Sequence, residues 1–138
     1  MQLRRPAGDG WLALIGGGEF SFGETLDADA AWVEKTPPGA IGFVPAASGS
    51  IDYGGHFAAY LDAEFGRAVE TIPIYRDRDA RRGRNAERIA AAAAVYLGGG
   101  VTDHLLEALG GPAGSPAAAA LAARLAGGGV VVAIAAAA

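Results

Sequence analysis

Five short apolar runs, separated by stretches of helix length, constrain this chain more than any single residue does. They are WLALIG at 11–16, AIGFVP at 40–45, AVETIPIY at 68–75, AVYLG at 94–98 and GVVVAI at 129–134. Most are continuously apolar rather than alternating, which is how strands read when both of their faces are buried. Strand-length runs alternating with helix-length segments predict a parallel sheet. A doubly wound sheet of about five strands, with helices on both faces, is therefore expected. At 138 residues the chain is one domain's worth, with no repeat and no linker-like stretch.

The intervening segments fit that plan. A helix is expected around 24–35, stopped by TPPG, and another over 52–65, where Phe57, Tyr60, Leu61 and Phe65 recur at helical spacing and should face the sheet. Pro73 places the third run at an edge or at a strand end. Residues 76–88 carry six of the eleven basic residues interleaved with Asp77, Asp79 and Glu87, so 76–84 reads as a solvated, salt-laced loop before a helix at 85–93. A short helix over 99–111 would begin at Thr102 or Asp103 and stop at Gly110 and Gly111. A loop at 110–116 leads to a helix over 116–126 with Pro116 in its first turn.

Composition removes several kinds of function. There is no cysteine, which excludes disulfides, thiolate zinc sites and a cysteine nucleophile. A net charge of −4 argues against nucleic acid as a partner, since phosphate binding needs a cationic surface. The amino-terminal apolar run, WLALI, is too short for a signal peptide or a membrane span, so a cytoplasmic protein is expected. No cofactor is expected either. The dinucleotide glycine spacing fails because Ser21 stands five residues after Gly16, and no Gly-Lys-Ser/Thr occurs.

In open α/β sheets ligands bind beyond the carboxyl ends of the strands, which directs attention to 16–20, 46–50, 76–78, 98–104 and 135–138. Glu19 follows three glycines and either binds a substrate group or sits near a helix start. Ser48 either donates to an anionic ligand or stabilises its own turn. Asp103 and His104 open the helix after a glycine triplet, as ligand-binding residues or as a cap and a packing residue. Arg76 and Arg78 are the basic residues nearest a strand end. His56, inside a helix, reads as structural.

The pieces ALIGGGEF, IGFVPAASGS, AVYLGGGVTDHLLEAL and LAGGGVVVAIAAAA, in this order across residues 12–138, resemble the dipeptidase E and cyanophycinase family of serine peptidases. That family has the flavodoxin-like, three-layer αβα fold of class I glutamine amidotransferases, and the resemblance covers only the front part of its domain. It implies an oxyanion loop at Gly98, Gly99 and Gly100 and a nucleophile elbow after the last strand. The serine position falls on Ala135; residues 135–138 are all alanine, and the family's downstream histidine has no counterpart. A triad without its nucleophile loses about a millionfold in turnover, about 8 kcal/mol of transition-state stabilisation. The resemblance thus implies a catalytically inactive, peptidase-like domain that binds a small peptide-like ligand or a partner. The alternatives are a hydrolase or amidotransferase-like enzyme using another nucleophile, and a structural subunit without a ligand. A chain ending at its fifth strand is also expected to leave apolar surface or a sheet edge uncovered, to be closed by further chain or by a second copy in a homo-oligomer.

Overall fold

The computed structural model describes residues 2–4, 10–15, 20–45, 51–98, 108–111 and 114–134. Its elements in chain order are β1 (Gln2–Arg4), β2 (Trp11–Ile15), a 3-10 turn (Phe20–Phe22), α1 (Leu26–Glu34), β3 (Ile41–Val44), α2 (Ile51–Phe65) and β4 (Val69–Thr71). Then follow α3 (Asp77–Ala80), α4 (Gly83–Ala91), β5 (Ala94–Leu97), α5 (Pro116–Ala126) and β6 (Val130–Ile134). The six strands form one sheet in the order β1-β2-β6-β5-β3-β4. β1 is antiparallel to β2 and the other five strands are parallel.

In chain order the parallel strands stand 3-2-4-5-1 across the sheet, the layout of a flavodoxin-like 2-1-3-4-5 sheet whose fifth place is taken by the amino-terminal strand β2. From β2 to β3 and from β3 to β4 the chain steps one way across the sheet; from β4 to β5 and from β5 to β6 it steps back. Right-handed crossovers then put α1 and α2 on one face and α3, α4 and α5 on the other. The two buried clusters divide in the same way. Trp32, Phe43, Phe57, Leu61, Tyr96, Val130 and Val132 fill the α1/α2 side, and Val44, Ile72, Ile89, Val95, Leu121 and Val131 fill the other. Neighbours such as Phe43 and Val44, or Val131 and Val132, serve opposite faces, which is why the runs are continuously apolar. Phe57 and Leu61 face the sheet fully buried, with Tyr60 and Phe65 packed beside them.

Four expectations change. β1 is a strand that the short, polar Gln-Leu-Arg segment does not reveal. The third run pairs only over Val69–Thr71. Ile72 still donates its N–H to the Phe43 carbonyl (2.8 Å), but Pro73 has no N–H, and Ile74 turns back to bond the Ile72 carbonyl (2.7 Å) in a γ-turn. β4 is accordingly a short edge strand. The expected loop at 76–84 is instead α3 and the start of α4. The Asp79 carboxylate accepts the Tyr75 and Arg76 N–H groups (3.0 and 3.1 Å), and buried Asn85 donates to the Asp79 carbonyl (2.9 Å). The charges do interleave as expected, with Arg81 bonded to Asp77 at 3.1 Å. Finally, the last strand is interior: β6 lies between β2 and β5 and is buried along its whole length, so it exposes neither an edge nor an apolar face.

Ends of helices behave as the sequence suggests. The Thr36 hydroxyl donates to the Trp32 carbonyl at the end of α1 (2.9 Å), and Ser115 accepts the Ala118 N–H at the start of α5 (3.1 Å). Gly110 and Gly111 take the left-handed backbone that ends helices, at φ 96° and 58°. Two arginines close the amino edge of the sheet. Arg67 donates to the carbonyls of Pro37 and Gly39 (2.6 and 3.1 Å), past the end of α1, and Arg124 to those of Ala90, in the last turn of α4, and Ala93, just past it (both 3.0 Å). Burial pulls the Arg124 guanidinium below its ordinary value, yet it stays the cation that a helix carboxyl end favours.

Candidate functional site

The four central parallel strands end at Ile15, Ile134, Leu97 and Val44 on one edge. β3 leads off toward β4, and its neighbour β5 leads off toward β6, so the topological switch point of the sheet lies between their carboxyl ends. Gly98 stands at this point. Its N–H donates to the Val44 carbonyl at 3.0 Å, and a Cβ there would lie 2.8 Å from Phe43 Cζ. Glycine is required by this close approach. The Gly98 amide is thus engaged within the sheet, while Gly99 and Gly100, the rest of the expected oxyanion loop, lie outside the described residues.

The register brings together the elements that the resemblance singles out. β5 and β6 are adjacent and parallel, with Leu97 opposite Ala133. The strand before Gly98 and the strand before residue 135 therefore end side by side. Glu19, Ser48, Gly99, Gly100, Asp103, His104 and Ala135 lie outside the described residues. Arg76 is exposed, five residues past the last paired residue of β4, at the start of α3. Arg78 is exposed on α3. His56 does not pack inside, as a structural role would have it; it is exposed on α2 and lines a cleft.

That cleft, about 690 Å³, was not anticipated. Phe20, Gly23 and Leu26 form one wall, and Tyr53, His56, Ala59, Tyr60 and Glu64 of α2 form the other. Behind it sits a buried carboxylate. Asp29 is fully buried on α1 and accepts hydrogen bonds from Thr25 Oγ1 (2.8 Å), Trp32 Nε1 (2.8 Å) and Tyr60 Oη (2.7 Å). Every donor is neutral, and no cation contacts Asp29 among the described residues. Hydrogen bonds of this kind are what make a buried charge tolerable. Burial first, then the hydrogen bond and charge of Asp29, hold the Tyr60 phenol well above its ordinary value of 10.0. The legible signal was Thr25, Asp29 and Trp32 at i, i+4 and i+7, an acid on the same helix face as a tryptophan. Among the described residues no three His, Asp or Glu side chains converge to hold a metal ion, and no helix is long and apolar enough to cross a membrane.

No protein-family model and no curated protein matches the sequence. Among solved structures, the chain is similar to the crystal structure of a peptidase from an acI-B1 Actinobacterium, with a TM-score of 0.74 and 19% identity over 93% of this chain. The fold is peptidase-like. The chain spans 55% of that peptidase's length. The three-layer α/β architecture read from the apolar runs is thus shared with that solved structure.

Proposed function

We propose that this chain is a peptidase-like domain of the dipeptidase E and cyanophycinase type that binds a small peptide-like ligand at its carboxyl edge without hydrolysing it. The observation that carries the reading is the register of β5 with β6, combined with the alanine that follows Ile134. In this reading Gly99 and Gly100 supply the N–H groups that face a carbonyl oxygen, Gly98 spaces them from Phe43, and Ala135 occupies the attacking position. A methyl group cannot attack a carbonyl. Oxyanion donors and binding alone leave about a thousandfold over water, far below a working peptidase. Glu19, Ser48, Asp103 and His104, from the loops at the same sheet edge, are proposed to contact the ligand, with Arg76 at its outer end.

The test is turnover of aspartyl dipeptides and of an aspartate-arginine polymer by the purified chain, alongside equilibrium binding of the same compounds. The reading expects binding without product. Product formation that persists through purification and disappears on replacing Gly99 and Gly100 would support instead an enzyme with a different nucleophile.

A further inference from the structure

We propose that the cleft between α1 and α2 is a second site, which takes a small arylalkyl ammonium ligand. Its ring lies against Phe20, Leu26 and Tyr60, and its ammonium pairs with Glu64. This inference is independent of the peptidase-like reading. Phe20 closes the segment that follows β2 at the carboxyl edge, but Ala59, Tyr60 and Glu64 lie in the second half of α2, and none of the lining residues is among Glu19, Ser48, Arg76, Asp103 and His104.

Three observations choose the ligand chemistry. The first is shape and lining. A space of about 690 Å³ falls within the usual range of small-molecule sites, and its walls are mostly aromatic and aliphatic. Leu26 on one wall and Phe22 on the adjoining 3-10 turn are the exposed large apolar residues among those described, at 37% and 81% exposure. The second is charge. Glu64 is exposed at the end of the cleft and makes no ion pair among the described residues, and its charge is felt at the Tyr60 phenol. Along α2, His56 lies eight residues earlier, about 12 Å away, so an ammonium docked on Glu64 does not meet the imidazole.

The third is the state of Tyr60. Its hydroxyl proton is committed to Asp29 at 2.7 Å and is unavailable to a ligand. The cleft therefore presents the ring of Tyr60 rather than a hydrogen-bond donor. A phenol donating to a carboxylate has an electron-enriched face, which favours a cation or the positive edge of another ring. The contacts with Phe20 (centroids 5.1 Å) and the bond to Asp29 hold this ring in place before any ligand arrives. An anionic ligand would meet Glu64, with Asp29 behind the wall, and is disfavoured.

Free arylalkyl amines and the amino-terminal aromatic residue of a peptide share this chemistry. The experiment titrates the chain with phenethylamine, phenylalanyl-glycinamide and phenylacetate, following amide and aromatic NMR shifts. Both amines should shift signals of Phe20, Leu26 and Tyr60 saturably, the tighter one naming the source, while phenylacetate should not. Glu64→Gln should weaken amine binding about fivefold, and Ala59→Trp, an exposed position on the cleft wall, should abolish it by filling the space. The proposal is overturned if the amines do not saturate, if their shifts map elsewhere, if phenylacetate binds equally well, or if Glu64→Gln leaves the affinity unchanged.

Discussion

Replacing Asp29 in two different ways separates the need for its hydrogen-bond acceptors from the need for its charge. Asp29→Ala removes the acceptor of three donors at once. The Trp32 side chain is fully buried, so its indole N–H is left without a partner at a cost of about 1–3 kcal/mol. Thr25, 1% exposed, loses its acceptor too, whereas the half-buried Tyr60 hydroxyl can turn to water. With the small void left behind, the total comes to about 3–5 kcal/mol, a large part of the roughly 5–15 kcal/mol that holds a domain folded. Asp29→Asn behaves differently. Its amide oxygen can accept from Trp32, and its two N–H bonds can point at the Thr25 and Tyr60 oxygens, each of which also accepts. All three contacts survive in neutral form, and the cost of burying a charge disappears, so the change should stay within about 1 kcal/mol. Urea unfolding followed by tryptophan fluorescence measures both variants. Asp29→Asn falling as far as Asp29→Ala would refute the reasoning, since the charge itself would then hold α1 to α2.

Alkaline stability follows from the same network. The folded Tyr60 phenol is raised above its unfolded value of 10.0, so its contribution is complete below pH 10 and is lost as pH rises above that toward the higher folded value. Between pH 9 and 11 the urea midpoint of the wild type should fall more than that of Tyr60→Phe, and parallel curves would contradict this. At the sheet edge, Gly98→Ala forces a Cβ to within 2.8 Å of Phe43 Cζ and should cost about 1–3 kcal/mol in the same assay. Phe43→Leu in the same chain should recover part of that loss, and a neutral Gly98→Ala would show that the approach is not tight.

The architecture was legible because it rests on periodicity. Val130–Ile134 reads as a strand covered on both sides, and it is buried throughout. α5 was read at 116–126, the residues it occupies, from Pro116 in its first turn, and the Ser115 cap was not part of that signal. What failed was local. Asp79 caps a turn from within a run of charges, so composition at 76–84 spoke for a loop while specific hydrogen bonds made α3 and α4. β1 is too short to carry a pattern, and strand order, which put β6 inside the sheet, is set by crossover geometry rather than by any run of letters. The candidate site divides in the same way. Gly98 was found through its position after an apolar run, but the partner of its amide could not be read. Asp29 was overlooked because one acid among DADAAWVE looks solvated until Trp32 and Tyr60 close around it.

The proposed function rests on Ala135, which puts carbon where a serine peptidase of the resembled family would carry its attacking oxygen. Turnover of aspartyl dipeptides by the purified wild-type chain tests it most directly, read against a matched preparation in which Gly99 and Gly100 are replaced. The account predicts equally absent product from both. Product from the wild type alone, retained through successive purification steps, would contradict it.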